Sequence, residues 1–145
     1  MNNKYDCLKL ENQLCFPLYV ASKEIIRKYK PYLDECNLTY TQYIAMMVLW
    51  DKKKIKVTEL GNYLFLDTGT ISPLIRKLEA KGYVEIVRSE ADERIQIICI
   101  TKKGEALKEN AIKIPTEVGK CVNLNKKDSE ELYRILYTLI DGLKD

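Results

Sequence analysis

The stretch VTELGNYLFLDTGTISPLIRKLEAKGYVEIVRSEADERIQIICI, residues 57–100, decides the fold of this chain. It opens with two short segments of helical periodicity, 57–65 and 71–82, which are joined by the tight connection LDTGT. The local signals that bound the second helix are a cap at Asp67 or Thr68, a first-turn proline at Pro73 and a glycine stop at Gly82. This half of the stretch predicts a helix–turn–helix.

Apolar and polar residues alternate in two segments directly after the second helix, 83–89 and 94–100. Such alternation is typical of strands, and the short acidic connection EADE between them predicts a hairpin. A helix–turn–helix followed at once by a hairpin is the order of elements in a winged helix. We therefore expect a mainly α fold with one small β-hairpin.

The segments upstream of this stretch predict two further helices. Apolar residues recur at three- and four-residue steps over 10–29, which indicates a long amphipathic helix with Pro31 near its end. The segment 39–51 has a wide apolar face, and Thr39 or Thr41 can cap it. Its Met and aromatic residues are interpreted as core.

The outer helices carry broader apolar stripes than a small central domain could cover. Thr101 can cap a helix that runs to about Pro115, and 128–144 predicts a final amphipathic helix. Exposed alone, these stripes would form a large apolar patch, so burial against a second copy is expected. The resulting expectation is one domain over 1–145, with the winged helix at about 39–104 and dimerisation helices at 8–31 and 105–145.

The net charge of +3 is small for a protein that binds nucleic acid, but it is unevenly placed. Residues 51–104 hold eleven Lys and Arg against eight Asp and Glu, and the rest of the chain holds thirteen of each. A homodimer would double this excess on one face, where the phosphates of double-stranded DNA could attract it. Taken alone, the excess is equally consistent with a solvated surface.

The sequence contains five cysteines and no histidine. An odd number of widely spaced cysteines, with no C-x-x-C pair and no export signal, favours free thiols in the cytoplasm. Without histidine, the usual general base and every His-bearing metal site are missing. No apolar run approaches the roughly 20 residues of a membrane span. We expect a cytoplasmic protein that is not an enzyme and that uses no metal, no cofactor and no membrane.

The winged helix carries side chains that suit DNA binding. A recognition helix places short polar side chains in the major groove and basic ones on phosphates, and a wing carries a cation for the minor groove. The residues that fit are Thr68, Thr70 and Ser72 for the groove, Arg76 and Lys77 for phosphates, and Arg94 at the wing, with Asp92 placed to hold its guanidinium. An Asp–Arg pair alone more often stabilises a turn, but a preceding helix–turn–helix favours DNA contact.

These residues also carry a family resemblance, which covers about 8–112. LDTGTISPLIRKLEAKGYVEIVRSEADERIQIICIT, residues 66–101, closely resembles the recognition helix and wing of the MarR family. LENQLCFPLYVASKEIIRKYKPYLDECNLTYTQY, residues 10–43, looks like the organic hydroperoxide resistance regulators of that family and the allied thiol-based global regulators of staphylococci. The resemblance implies a dimeric repressor that binds an inverted-repeat operator when reduced and releases it after oxidation by organic hydroperoxides.

In those regulators, the cysteine of the LCF motif is oxidised and tyrosines surround it; the matching residues here are Cys15, Tyr19, Tyr29 and Tyr40. Peroxide reacts with a thiolate, and phenol hydroxyls that donate hydrogen bonds could stabilise one. Tyr19 lies one helical turn beyond Cys15 and can reach it. Tyr29 lies about 21 Å away along a straight helix. It would therefore come from the partner subunit, as the resemblance also implies.

Pro17 departs from the family pattern, which has an aliphatic or small residue at this position. Inside a helix, proline removes one hydrogen bond and crowds the carbonyl four residues earlier, here that of Gln13. We expect a local distortion over 13–17. Either the helix kinks there, or it begins near Pro17 and leaves Cys15 at its positive end, where a thiolate is favoured.

Two further choices stay open at this stage. An oxidised Cys15 could form a mixed disulfide with a low-molecular-weight thiol, or it could pair with a cysteine of the other subunit, as in the two-cysteine branch of the family. Cys121 lies close to the position of that second cysteine but is offset by about one residue. The rival functions are a MarR-type regulator that answers a small aromatic ligand, a thiol-based global redox regulator, and a thiol peroxidase with a coincidental helix–turn–helix.

Overall fold

The computed structural model describes residues 3–144 as a helical protein with one small sheet. Two 3-10 turns, Asp6–Leu8 and Leu10–Asn12, precede the first α-helix. The elements in chain order are α1 (Cys15–Glu35), α2 (Tyr40–Lys52), β1 (Lys54–Lys56), α3 (Val57–Leu64), α4 (Thr68–Ala80), β2 (Val84–Arg88), β3 (Gln96–Ile100), α5 (Lys102–Ala106), α6 (Lys108–Ala111), α7 (Ile114–Gly119) and α8 (Lys126–Leu143).

The predicted winged helix is confirmed. The helix–turn–helix consists of α3 and α4, and the predicted hairpin consists of β2 and β3, which pair antiparallel from Val84 opposite Ile100 to Arg88 opposite Gln96. A third strand, β1, was not predicted because three residues are too short to show alternation. It pairs antiparallel with β3, so the sheet order is β1-β3-β2.

Helix α4 begins three residues earlier than the periodicity predicted, at Thr68 instead of residue 71. The predicted cap at Asp67 is confirmed, because its carboxylate accepts a hydrogen bond from the Thr70 N–H at 2.8 Å. The expectation that Pro73 lies in the first turn is consequently wrong, since it is the sixth residue of the helix. Gly82 adopts φ 81°, a conformation that suits the residue after a helix end.

Helix α1 also differs in extent from the prediction. It begins at Cys15 instead of near residue 10, and it continues past Pro31 to Glu35. Pro17 is the third residue of α1, where the missing N–H would have no helical partner, and Gln13 is extended. The expected distortion over 13–17 is therefore confirmed in its second form, a helix that begins beside Pro17.

The single helix predicted from Thr101 to about Pro115 is wrong in its extent. Thr101 caps it as expected, accepting from the Gly104 N–H, but the segment is divided into α5, α6 and α7 and reaches Gly119. Pro115 is the second residue of α7, where proline is tolerated. The break before α7 follows, because the Pro115 ring crowds the Ala111 carbonyl and the Pro115 nitrogen has no proton to donate to it.

The core lies between the winged helix and the end of α1. Its largest fully buried side chains are Met46, Leu49, Leu60, Ile71, Ile75, Leu78, Ile98, Ile114, Val84 and Cys36. Helix α2 begins at a capping box, in which Thr39 and Gln42 exchange side-chain and backbone hydrogen bonds, as the prediction of a Thr39 cap requires. By contrast, α8 contributes no buried residue and α1 contributes only Leu33.

Within residues 3–144, no helix combines the length and the apolar character that crossing a bilayer requires.

Candidate DNA interface and redox site

Helix α4 presents two chemically different faces. The buried face consists of Ile71, Leu74, Ile75 and Leu78, which fix the helix against α2 and α3. The candidate DNA residues Thr68, Thr70, Arg76 and Lys77 are exposed on the other side, and Ser72 is half-buried. The first turn thus exposes short polar side chains and the third turn exposes two cations, the side-chain types that contact a groove and phosphates in recognition helices.

The wing holds one cation in a fixed direction. The Asp92 carboxylate accepts hydrogen bonds from Nε and Nη2 of Arg94, both at 3.1 Å, and from the Arg94 N–H at 3.0 Å. These hydrogen bonds lower the pKa of Asp92 below its ordinary value. The Arg94 side chain is 91% exposed, so the predicted pair directs a guanidinium away from the body of the protein.

The hairpin end is braced from a second side. Arg88, the last residue of β2, donates from Nη1 to the Glu93 carbonyl at 2.7 Å. The Ser89 N–H donates to the Ile95 carbonyl at 2.8 Å, which closes the connection above the strands. These contacts limit the freedom of the loop that carries Arg94.

Cys15 is exposed at the first position of α1. Unpaired N–H groups and the positive end of the helix dipole occur at such a position, and both favour an anion. Tyr19, one turn further along, is 62% exposed, and the Lys23 ammonium lies 5.4 Å from the centroid of its ring. In an isolated chain, the side chains of Cys15 and Tyr19 are therefore both exposed to solvent.

The rings of Tyr29 and Tyr40, two of the candidate sensing residues, pack against each other. Their ring centroids lie 5.0 Å apart in an edge-to-face arrangement between α1 and α2. Both are half-buried against the core. Both tyrosines lie far from Cys15 of their own chain. Helix α1 runs unbroken from Cys15 to Tyr29, which places these two residues about 21 Å apart, and Tyr40 packs beside Tyr29.

Tyr43 joins this cluster and was interpreted from the sequence as core only. Its ring lies 5.9 Å from that of Tyr29 and 6.4 Å from that of Tyr40, and the residue is 3% exposed. Burial, with neighbouring Tyr29 adding to the effect, raises the pKa of Tyr43 to about 12. Burial likewise raises the pKa of Tyr40. The repeated Y-x-x-Y in LTYTQY was the signal that could have revealed the third tyrosine.

Cys121 is exposed just after α7. It lines a shallow groove with Glu24, Ile25 and Lys28, side chains near the middle of α1. Those residues lie nine to thirteen positions beyond Cys15, or about 14–20 Å along the helix. Since disulfides need Cα atoms within about 7 Å, Cys121 is badly placed to pair with Cys15 of its own chain.

The remaining cysteines differ in setting. Cys36 is buried, and that burial raises the pKa of its thiol. Cys99 is half-buried in β3, and Cys7 is exposed within the first 3-10 turn. Within residues 3–144, no cluster of three or more His, Cys, Asp or Glu side chains could hold a metal ion.

Comparison with known proteins identifies the relatives of this chain. Residues 27–111 match the model of the transcriptional regulators of the SarA/Rot type. The organic hydroperoxide resistance transcriptional regulator of Bacillus subtilis is 44% identical over 146 aligned positions, which cover 99% of this chain and 97% of that protein.

Solved structures agree with this relationship. Reduced AbfR bound to DNA has a TM-score of 0.80 and 26% identity, over 97% of this chain and 98% of its own. A MarR family transcriptional regulator from Streptomyces coelicolor, in complex with DNA, has a TM-score of 0.85 over 94% of both chains. The latter is 20% identical and shows the fold alone.

The buried phenol of Tyr43 predicts a loss of stability at alkaline pH. Between about pH 10 and pH 12, an unfolded chain loses this proton while the folded chain keeps it, so the free energy of unfolding falls by about 2–3 kcal/mol. Urea unfolding of the protein and of Tyr43→Phe at pH 8, 10 and 11.5 measures this difference. Tyr63→Phe, at an exposed tyrosine, should keep the fall. Equal falls in the protein and Tyr43→Phe would contradict this assignment.

Proposed function

Since the chain belongs to the organic hydroperoxide resistance regulators of the MarR family, we propose that it is a DNA-binding repressor that releases its operator when an organic hydroperoxide oxidises Cys15. The observation that carries this proposal is the exposed Cys15 at the start of α1, in a chain that aligns almost completely with a hydroperoxide resistance regulator. The exposed polar face of α4 and the directed Arg94 supply the DNA-binding half.

The repressor works as a homodimer. Helices α1 and α8 leave large apolar side chains uncovered in one chain, among them Leu14, Phe16, Leu18, Ile25, Ile26, Leu132, Ile135, Leu139 and Leu143. An apolar surface of this extent on the two terminal elements is unusual for a monomer and is covered most simply by the same elements of a second copy. The two recognition helices then face two half-sites of an inverted repeat.

The sensing site is shared between the two subunits. Tyr29 and Tyr40 of one chain face Cys15 of the other, and Tyr19 approaches that cysteine from its own helix. This arrangement is supported by the pairing of Tyr29 with Tyr40 and by the length of α1, which keeps both away from their own Cys15. Hydrogen bonds from the phenols and the start of α1 together favour a thiolate.

Oxidation proceeds by attack of the Cys15 thiolate on the hydroperoxide. The sulfur takes the distal oxygen, the O–O bond breaks, and the alkoxide leaves as an alcohol after gaining a proton, which produces a sulfenic acid. Condensation of the sulfenic acid with a thiol then forms a disulfide and releases water. The thiol is either a low-molecular-weight thiol or Cys121 of the other subunit.

Cys121 is supported as the second thiol by its neighbours. It lies beside Lys28, next to Tyr29, so a dimer that places one chain's Tyr29 near the other chain's Cys15 also brings Cys121 toward that sulfur. The related AbfR has been solved in a disulfide form.

A ligand-responsive regulator is the second candidate. A cavity between α2 and α6 is lined by Tyr43, Met47, Trp50 and Ile112, which could accept a small aromatic compound. Release of operator DNA by phenolic compounds under reducing conditions would favour this alternative.

Replacing the sulfur of Cys15 tests the proposal. We expect Cys15→Ser to bind DNA from upstream of its own gene as tightly as the wild type and to keep it in cumene hydroperoxide, which should release the wild type. Gel-shift titrations with and without peroxide measure this. Cys7→Ser, at another exposed cysteine, should still release the DNA. Release by Cys15→Ser in peroxide would place the sensor elsewhere.

The same oxidised samples separate the two fates of the sulfenic acid. A disulfide to Cys121 of the other subunit gives a covalent dimer on a non-reducing gel, and Cys121→Ser abolishes it. A mixed disulfide with a small thiol leaves monomers with a raised mass.

Arg94 is proposed to contact the minor groove or its phosphates. Arg94→Ala should weaken DNA binding and reduce the slope of log K against log salt by about 0.9 per subunit, because one cation fewer displaces counterions. Fluorescence anisotropy between 50 and 200 mM salt measures the slope. Lys126→Ala, which removes a 90% exposed charge at the start of α8 and outside residues 51–104, should leave the slope unchanged. An unchanged slope for Arg94→Ala would exclude the contact.

A further inference from the structure

The four residues between α1 and α2, residues 36–39 and here called the α1–α2 turn, are held by the segment that follows the recognition helix. The Lys81 ammonium donates to the Asn37 carbonyl at 2.6 Å. The Tyr83 hydroxyl donates to the neighbouring Cys36 carbonyl at 3.2 Å. Two donors placed directly after α4 thus bind two consecutive carbonyls at the C-terminal end of α1.

A third contact ties the same ammonium to the start of α2. Lys81 Nζ donates to Gln42 Oε1 at 2.7 Å, and that oxygen also accepts from the Thr39 N–H at 3.1 Å. Gln42 is a polar residue only 3% exposed. The Gln42 side chain therefore has little room to move, and a shift of the capping box would displace the oxygen to which Lys81 donates.

The Lys81 ammonium has an unusual environment for a lysine side chain. Within residues 3–144, no carboxylate lies within 4.0 Å of its ammonium, and the hydrogen-bond partners of that ammonium are two neutral oxygens. Desolvation by burial, with Lys77 as a smaller cause, lowers the pKa of Lys81. The α1 carbonyls carry the negative end of a helix dipole, which compensates part of that cost. Hydrogen bonds from a charged donor are roughly twice as strong as neutral ones.

Tyr29 and Tyr40, the proposed sensing tyrosines, lie beside the α1–α2 turn to which Lys81 donates. Tyr40 is the first residue of α2 and directly follows the α1–α2 turn, and its ring packs against Tyr29 on α1. A displacement of α1 relative to α2 at Tyr29 and Tyr40 must therefore move the turn, the capping box or both.

We propose that Lys81, assisted by Tyr83, is the positioning residue that transmits the arrangement of Tyr29 and Tyr40 to the recognition helix through the α1–α2 turn. This inference rests on the proposed function and adds the route from the sensing site to the DNA. Lys81 directly follows the last residue of α4, so we expect a change in its anchor to tilt the helix.

Helix α4 is long enough for a small tilt to displace its first turn appreciably. Helix α4 has 13 residues and is therefore about 20 Å long. A tilt of about 10° at its C-terminal end would move the first turn, with Thr68 and Thr70, by about 3 Å, which is comparable to the length of a hydrogen bond.

Lys81→Met, which keeps most of the stem and removes the donor, should uncouple oxidation from DNA release. We expect the ratio of oxidised to reduced Kd, on DNA from upstream of its own gene, to fall at least tenfold below that of the wild type. The reduced Kd should change by less than fivefold. The rate of Cys15 oxidation by cumene hydroperoxide, followed by dimedone labelling and mass spectrometry, should not change.

Two further variants separate this role from a general loss of structure. Tyr83→Phe removes only the hydroxyl and should lower the ratio in the same direction by a smaller factor, even if Lys81→Met folds poorly. Lys81→Arg keeps a charged donor and should restore most of the ratio. Lys102→Met removes a surface ammonium that has no such contact and should behave as wild type.

The possible failures are distinguishable. If the wild type releases its DNA on oxidation and Lys81→Met and Tyr83→Phe release it as completely, the proposed route is wrong and the repressor function stands. If the wild type itself keeps the DNA with Cys15 oxidised, the repressor function fails and this inference fails with it.

Discussion

One unbroken helix joins Cys15 to Tyr29, and its rigidity decides where a sensing site can form. The two residues lie about 21 Å apart along α1, whereas a phenol must come within about 3–4 Å of a sulfur to donate to it. A second copy of the chain can close that gap, and α1 and α8 carry the uncovered apolar side chains that would hold such a copy. In the proposed function, dimerisation, thiolate stabilisation and hydroperoxide sensing therefore depend on the same helix.

The proposed sensing tyrosines also lie close to contacts that reach helix α4. Tyr40 directly follows the connection between α1 and α2, whose carbonyls accept hydrogen bonds from Lys81 and Tyr83 after helix α4. Specific DNA binding exceeds non-specific binding by only about 4–10 kcal/mol, so in the proposed dimer a shift of a few ångströms at the two recognition helices can remove a large part of that difference. The bidentate Asp92–Arg94 pair serves the opposite purpose, because it fixes the wing in one direction.

Local signals in the sequence predicted the winged helix well, and contacts between distant residues explain the differences. The Asp67 and Thr39 caps depend on neighbours three residues away, so they could be predicted from spacing. The start of α4 was misplaced because Thr68 and Gly69 are poor helix formers that the Asp67 cap recruits. Strand β1 exists only by pairing with β3, and Lys81 meets Asn37 across 44 positions of sequence. Neither leaves a local pattern.

Engineered cross-linking across the proposed interface tests whether Cys15 of one chain lies beside Tyr29 of the other. The variant would keep Cys15, carry Tyr29→Cys, and have the exposed Cys7 and Cys121 replaced by serine. Under mild oxidation, we expect a covalent dimer on a non-reducing gel, twice the 16.9 kDa of one chain, whereas a control that retains Tyr29 stays monomeric. A variant that remains monomeric under the same oxidation would contradict the shared site.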